Sequence, residues 1–175
     1  MKNNLKLLIL LTGTILPSIL KAQKTQKINN GVEITFKGVI EQVGQTAAEE
    51  YAKKNKIEYL SAYEGLKNRN IYTVDGIIFT SVKMNTAEKR GLEKLKKAID
   101  ERALSVNLKT YSSRIITNHG YKILVTENTA ENRLNFTAID SSGYSSVLGV
   151  LDFNPTKRSE AKLLLDDIIK SINFE

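Results

Sequence analysis

Several residue types that often carry chemistry are absent or scarce in this chain. It has no cysteine, no tryptophan, a single histidine and only two prolines in 175 residues. The absence of cysteine excludes disulfides, thiolate zinc sites, cysteine nucleophiles and a lipid anchor on an N-terminal cysteine. With one histidine, a metal site would have to consist of carboxylates, and no acidic loop has the spacing of a calcium site.

Nucleotide and nucleic-acid signatures are also missing. The sequence contains no P-loop and no Gly-x-Gly-x-x-Gly motif. A nucleic-acid site needs a basic face with aromatic platforms. Here the lysines of residues 87 to 104 are balanced by acids, and the basic cluster at residues 53 to 56 lies beside Glu49 and Glu50. We therefore predict no cofactor, no metal and no nucleic-acid partner.

The longest apolar run lies near the N-terminus. Residues 1 to 6 carry two lysines and no acid, and residues 7 to 20 are mostly apolar and carry no charge. This run of about 14 residues has the length of the hydrophobic region of a secretory signal peptide. It is shorter than the roughly 20 residues of a membrane-spanning helix, and Gly13 and Pro17 interrupt it. An uncleaved N-terminal anchor is the alternative interpretation.

Cleavage is predicted after Ala22, so residues 1 to 22 are interpreted as the signal peptide. The mature protein then starts at Gln23 and works in the periplasm or outside the cell, without a stable membrane anchor. Cleavage removes Lys2, Lys6 and Lys21 and no acid, which lowers the net charge from +7 to +4. A net charge of this size is typical of a solvated surface and is a weak argument for an anionic partner.

The mature chain divides into a polar lead-in at residues 23 to 30, predicted to be flexible, and a single domain at residues 31 to 175. Residues 31 to 37 alternate apolar and polar side chains, which predicts a half-buried strand. Thr46 and Glu49 have the spacing of a capping box for a short helix ending near residue 55. Residues 57 to 63 are ambiguous, and we predict a strand.

A hairpin and a long helix follow. Two β-rich runs, residues 71 to 74 and 77 to 82, flank Asp75-Gly76, a dipeptide that favours a type I′ turn. Residues 87 to 104 are predicted to form an amphipathic helix with Thr86 as its N-cap. Its apolar positions recur at helical spacing, and they are Leu92, Leu95, Ala98, Ile99 and Ala103.

The last part of the chain reads as a four-stranded meander followed by a helix. The strands are predicted at residues 108 to 117, 121 to 126, 134 to 139 and 144 to 153. Asn154 and Pro155 are suited to opening a helix that runs to residue 172. Because short turns join the strands, the sheet should be antiparallel. The predicted fold class is α+β, an antiparallel β-sheet flanked by amphipathic helices on one or both faces.

This order of elements resembles the PsbP-like family of small α/β/α sandwich domains. The similarity lies in the turn Asn118-His119-Gly120-Tyr121, the strand ending Leu151-Asp152-Phe153, and the closing helix from Ile169 to Phe174. It covers roughly residues 86 to 175. The resemblance implies the sandwich fold and an exported or lumenal location. It implies no catalytic residues in this chain.

One catalytic constellation can be assembled from the sequence. In an up-and-down meander, the turns at residues 118 to 120 and 141 to 143 lie at the same end of the sheet. His119 could therefore approach Asp140, Ser141 and Ser142, the residue types of a hydrolase triad. Both segments are also ordinary turn sequences, and no Gly-x-Ser-x-Gly elbow accompanies them. We therefore predict no catalytic site and keep these residues as weak candidates.

Tyrosines supply the other candidate site. Tyr59, Tyr63 and Tyr72 precede the long helix, and tyrosine is favoured on binding surfaces. Core positions are the alternative role for these side chains.

The first functional hypothesis is therefore an exported, non-enzymatic accessory or binding protein of the bacterial envelope. It would act through its surface or a sheet–helix cleft, and its partner would be another envelope protein or a small ligand. The alternatives are a periplasmic immunity or inhibitor protein that neutralises another protein, and a hydrolase that uses His119 with Ser141 or Ser142.

Overall fold

The computed structural model describes residues 23–28, 31–37, 39–58, 69–86, 88–89 and 91–175. The predicted signal peptide and the candidates Tyr59 and Tyr63 lie outside the described residues. Ten strands and three helices occupy the described part of the chain. The strands are β1 (Gln23–Ile28), β2 (Val32–Lys37), β3 (Ile40–Val43), β4 (Asn70–Val74), β5 (Ile77–Asn85), β6 (Tyr111–Asn118), β7 (Tyr121–Asn128), β8 (Arg133–Ile139), β9 (Ser145–Phe153) and β10 (Asn173–Phe174). The helices are α1 (Gln45–Asn55), α2 (Leu92–Ser105) and α3 (Arg158–Ser171).

The strands form two antiparallel sheets. The large sheet has seven strands in the order β3-β4-β5-β9-β8-β7-β6, and the small sheet has three in the order β1-β2-β10. Every strand pair is antiparallel. The predicted α+β class with an antiparallel sheet and flanking helices is thus confirmed.

The main core lies on one face of the large sheet, which we call the α3 face. The small sheet and α3 cover this face. Val32, Ile34 and Phe36 of β2 are all fully buried, as the alternation of this strand predicted. A row of aromatic rings crosses the core, because Phe79 lies 5.6 Å from Phe36 and 6.2 Å from Phe136 between ring centroids.

Helix α3 is held at its start by the predicted cap. The side-chain oxygen of Asn154 accepts a hydrogen bond from the backbone N–H of Thr156 at 3.1 Å, and Pro155 opens a single 3₁₀ turn before the helix. The buried stripe of α3 consists of Ala161, Leu164, Leu165, Ile168 and Ile169. These side chains belong to the main core and fix α3 against the sheet.

The opposite face of the large sheet, which we call the α2 face, carries two smaller clusters. Helix α1 packs over β4 and β5 through Ala48 and Ala52 against Ile71 and Ile78. Helix α2 contacts β7 and β8 through Leu92, against Leu124 and Ile139. The two helices therefore cover the two sides of this face.

The Asp75-Gly76 hairpin forms as predicted between β4 and β5. Asp75 has φ +46° and Gly76 φ +87°, so both central residues are left-handed, as a type I′ turn requires. The four strands of the meander are also present, at slightly different limits.

Several local predictions were wrong. Residues 23 to 28, predicted to be a flexible lead-in, form β1 and pair with β2. This strand exists through backbone pairing, and its polar sequence gave no apolar periodicity to detect. Strand β3 was not predicted at all. At residues 57 to 63, Ile57 and Glu58 are outside any strand, and residues 59 to 63 are not described.

Two of the three predicted helix caps, those of α1 and α2, are corrected. Gly44, rather than Thr46, is the N-cap of α1, and no side chain caps it. Gly91, rather than Thr86, is the N-cap of α2, so this helix begins five residues later than predicted. The hydroxyl of Thr86 donates instead to the carbonyl of Glu88 at 2.7 Å. Glycine is unfavourable inside a helix by about 1 kcal/mol, which makes Gly91 a natural boundary.

Close packing in the core leads to a first prediction. A Cβ placed on Gly149 would lie 2.1 Å from the Phe136 ring, which crosses over this glycine from the adjacent strand. Gly149→Ala should therefore lower the free energy of unfolding by about 1–3 kcal/mol, measured by urea denaturation. In a Phe136→Leu background, where the ring is absent, the same substitution should cost clearly less. Equal costs in both backgrounds would contradict this steric explanation.

Candidate functional site

Helix α2 is incompletely seated on the sheet. Of the five apolar positions predicted to be buried, only Leu92 and Ala103 are. Ile99 is half-buried, Ala98 is exposed, and Leu95 is 36% exposed. A helix seated along its whole length would bury all five, so its central part leaves space above the sheet.

This space forms a cleft of about 370 Å³ between α2 and strands β6 to β9. Its apolar wall includes Ile99, Leu108, Leu124 and Leu148. Its polar lining comes mostly from β7 and β8, and consists of Tyr111, Thr126, Asn128, Glu131, Arg133, Asn135 and Thr137. A mixture of apolar walls and a few polar groups is typical of ligand sites.

The cleft continues outward past Leu108 and Tyr111. A second cavity of about 360 Å³ shares these two residues and lies between the C-terminal half of α2 and the start of β6. Leu104, which is 78% exposed, lies at its rim. The two cavities form a groove that runs from the edge of the sheet to its interior.

Asp100 connects α2 to β6 beside this groove. Its carboxylate accepts hydrogen bonds from Lys96 at 2.5 Å and from the hydroxyl of Ser113 at 2.6 Å. These bonds, chiefly the one from Lys96, hold the pKa of Asp100 below its usual value. Burial raises the pKa of the neighbouring Tyr111 phenol. The helix is therefore held over β6 by polar contacts as well as by apolar ones.

A polar row crosses the sheet at the floor of the cleft. By strand register, Asp152 of β9 lies opposite Arg133 of β8, Arg133 opposite Asn128 of β7, and Asn128 opposite Tyr111 of β6. Directly opposite residues share one face of a sheet, so all four side chains belong to the α2 face. Arg133, Asn128 and Tyr111 line the cleft itself.

Arg133 and Asp152 form a buried ion pair. The Arg133 Nε donates to Asp152 Oδ1 at 2.7 Å, and the two side chains are 10% and 2% exposed. A second carboxylate, that of Glu131, lies 3.9 Å from the guanidinium. Because burying a pair costs desolvation energy that its attraction only partly offsets, such a pair is weak evidence for a purely stabilising role.

Burial raises the pKa of Asp152 to about 6, although the charge and hydrogen bond of Arg133 act in the opposite direction. The folded state therefore binds this proton more tightly than the unfolded chain. The contribution of Asp152 to stability is fully present at low pH and is lost as the pH rises towards about 6. Above that pH, the carboxylate is charged and depends on Arg133.

The hydrolase candidates do not assemble into a triad. The turns at 118–120 and 141–143 do lie at the same end of the sheet, where Gly120, Asp140 and Ser141 line one cavity. His119, however, points elsewhere, since its Nε2 lies 3.1 Å from the carbonyl oxygen of Lys170 in α3. Ser142 donates to Asp140 at 2.5 Å.

Asp140 organises its own turn. Besides Ser142, it accepts hydrogen bonds from the backbone N–H groups of Gly143 at 2.9 Å and Ser145 at 3.1 Å. Burial acts to raise the pKa of Asp140, but these hydrogen bonds outweigh it and hold the pKa below its usual value. Its role in the structure is to stabilise the β8–β9 turn.

Tyr72 is not a binding-surface residue, and that prediction is corrected. Its side chain is 1% exposed and packs between Phe36 and Phe79 in the main core. On β4 it alternates with residues of the α2 face, so its ring must lie on the opposite, core side.

Neither a metal cluster nor a membrane span is found among the described residues. That part of the chain has no group of three or more histidine, cysteine or acidic side chains arranged to hold a metal ion. None of the helices described is both long and apolar enough to cross a membrane.

Comparison with solved structures identifies the fold. Cyanobacterial PsbP (CyanoP) from Synechocystis sp. PCC 6803, known from its solution structure, matches with a TM-score of 0.50 and 10% sequence identity. The match covers 94% of this chain and 99% of the other. The protein thus has a PsbP-like fold, as its C-terminal half predicted, and the likeness extends over nearly the whole chain.

Comparisons by sequence give no match. No protein-family model matches the chain. No curated protein matches it significantly either. At 10% identity the structural likeness concerns the fold alone, so function has to be argued from the cleft.

Sequence reasoning missed the residues of the cleft. Arg133 lay just outside the strand predicted at residues 134 to 139, and Asp152 was noted only as part of a motif. A signal was present in β8, because Asn135 and Thr137 are polar and alternate with the apolar Leu134, Phe136 and Ala138. Such alternation normally indicates a solvated face, whereas here a helix lies above it.

The buried pair leads to a second prediction. Arg133→Met leaves the Asp152 carboxylate buried and unpaired, and should lower the free energy of unfolding by about 3 kcal/mol at pH 7.5. At pH 5, where Asp152 is mostly neutral, the loss should be smaller. Chemical denaturation at both pH values measures this difference.

Two further variants serve as controls. Arg133→Met combined with Asp152→Leu removes both charges and should recover most of the lost stability. Lys97→Met breaks an exposed pair with Glu101 at 3.8 Å and should change stability by less than about 0.5 kcal/mol. A loss from Arg133→Met that does not depend on pH would contradict the role given to Asp152.

Proposed function

We propose that this protein is an exported, non-enzymatic binding protein of the bacterial envelope that holds a ligand or a partner segment in the cleft between α2 and the large sheet. The observation that carries the proposal is the incomplete seating of α2 over a polar part of the sheet. The helix has an apolar stripe, but only Leu92 and Ala103 of that stripe are buried.

The polar floor of the cleft supports a binding role. Buried polar groups cost free energy unless they are paired, and apolar residues would fill the same space at lower cost. Thr126, Asn128, Arg133 and Thr137 are nevertheless all buried here. Polar groups held in place by a rigid sheet are well suited to fixing the orientation of a ligand.

The charges of the cleft indicate the kind of ligand. The guanidinium of Arg133 is already offset by Asp152 and Glu131, so the cleft offers no free positive charge of its own there. Asn135 and the two threonines present amide and hydroxyl groups beside apolar side chains. This chemistry fits a neutral, hydrogen-bonding ligand with an apolar side.

The non-enzymatic character rests on the candidate residues themselves. In the described part of the chain, His119 bonds to a backbone carbonyl and Asp140 holds its own turn, so neither is positioned as a base or an orienting group for a nucleophile. Export is supported by the predicted signal peptide, and the PsbP-like fold is compatible with an accessory role.

A third prediction tests the cleft. Asn135→Trp should fill it, whereas Ser159→Trp adds the same bulk to an exposed position on α3, on the other side of the sheet. The protein would be purified from its native envelope without denaturation and examined by native mass spectrometry. Wild type and Ser159→Trp should carry the same bound species, and Asn135→Trp should lose it while keeping its circular dichroism spectrum.

Two results would contradict this proposal. If Asn135→Trp retained the species, the binding site would lie elsewhere. If no species were bound, and no fraction of the envelope raised the melting temperature of the wild type, the binding function itself would be wrong.

A fourth prediction concerns export. Intact-mass measurement of the protein isolated from its host should give a chain that begins at Gln23, recovered from the periplasm or the medium. A chain that still begins at Met1 in the cytoplasm would overturn the proposed location.

A further inference from the structure

The large sheet ends in a long free edge at β6. This strand has eight residues, and among the described elements it pairs only with β7. The opposite edge, β3, has only four residues. Short edge strands are one way in which proteins prevent sheets from joining, and β6 lacks this protection.

The hairpin geometry shows which backbone groups of β6 face outward. His119 and Gly120 form the turn with φ +49° and +80°, so Asn118 and Tyr121 are a hydrogen-bonded pair. Hydrogen-bonded and non-hydrogen-bonded pairs alternate along β6 and β7. The carbonyl of Thr110, eight residues before Asn118, accepts a hydrogen bond from the N–H of Thr129 at 3.0 Å, which agrees with this alternation. The N–H and C=O groups of Ser113, Ile115 and Thr117 therefore point away from β7.

Other protective features are also missing from this edge. The β6–β7 register runs without a bulge from Tyr111 to Asn118, and the strand contains no proline. Its single charge is that of Arg114. Leu104, Val106 and Leu108, beside the start of the strand, add exposed apolar surface. This edge can accept another strand as it stands.

We propose that β6 pairs with β6 of a second copy of this chain, in antiparallel orientation, to form a twofold dimer with one continuous sheet. The twofold axis passes through Ile115, which lies opposite Ile115 of the second copy. Ser113 then lies opposite Thr117, and the outward groups of all three residues are hydrogen-bonded. A second copy fits because each outward N–H and C=O group of these residues meets a hydrogen-bonding partner on the symmetry-related strand.

The sequence of the strand favours this register. Moving the twofold axis to Ile116 would set Ser113 opposite His119, which lies in the turn. Moving it to Arg114 places Arg114 directly opposite the second Arg114, and like charges in that position repel. It would also use the N–H of Tyr111, which already donates to the carbonyl of Leu108 at 3.3 Å. In the proposed register, Arg114 lies opposite Ile116, and small hydroxyl side chains face one another.

Sedimentation velocity over a range of concentrations, on the chain from residue 23 onward, tests the dimer. The wild type should change from monomer to dimer as concentration rises. Thr117→Pro removes an outward N–H and places a ring in the seam, and it should weaken dimerisation roughly tenfold or more. Thr117→Val keeps the N–H and should still dimerise. A wild type that stays monomeric at every concentration overturns the proposal, as does equal dimerisation of the proline variant.

Single-cysteine variants test the register, since the chain has no cysteine of its own. A cysteine replacing Ile115 meets its symmetry mate at about 5.5 Å between Cα atoms, a distance that a disulfide can span. Under mild oxidation, Ile115→Cys should form cross-linked dimers much faster than Arg114→Cys or Ile116→Cys. Faster cross-linking of either neighbour would show a different register and overturn the one proposed.

Discussion

The packing of α3 and the small sheet on one face of the large sheet is the interaction on which the rest of the structure depends. Most of the largest fully buried side chains lie there, including Phe36, Phe79, Phe136 and Phe153. Burying one such side chain contributes about 1.5–3 kcal/mol. Gly149 is required for the same reason, since the Phe136 ring occupies the space above it.

Because the main core lies on one face of the large sheet, the other face can contain polar residues without loss of the fold. The α2 face is held by two small clusters, one under each helix, with polar residues between them. The buried Arg133–Asp152 pair belongs to this region, and its desolvation cost is tolerated because stability comes from elsewhere. Binding regions are often drawn from the less stable parts of a fold, and the two clusters on the α2 face are much smaller than the main core.

The sequence predicted the elements that have strong local signals. The alternation of apolar and polar residues predicted β2, and the Asp75-Gly76 dipeptide predicted the β4–β5 hairpin. The helical spacing of apolar residues predicted α3. What it could not predict depends on tertiary contacts. Strand β1 exists because its backbone pairs with β2, and Tyr72 is buried because Phe36 and Phe79 pack against it. The cleft is a further case, because the spacing of α2 gives its apolar stripe but not how closely that stripe approaches the sheet.

The two faces of β6 connect the cleft with the free edge. Odd-numbered residues of this strand lie under α2, where Ser113 bonds to Asp100, while even-numbered residues face α3, where the side chain of Asn118 donates to the carbonyl of Ile169. Of the three residues whose backbone groups point outward, Ser113 also lines the outer cavity of the groove. A strand added to this edge would lie beside the outer opening at Leu104 and Tyr111. Occupancy of the edge would then change access to the cleft, because one strand serves as the wall of the groove and the border of the sheet.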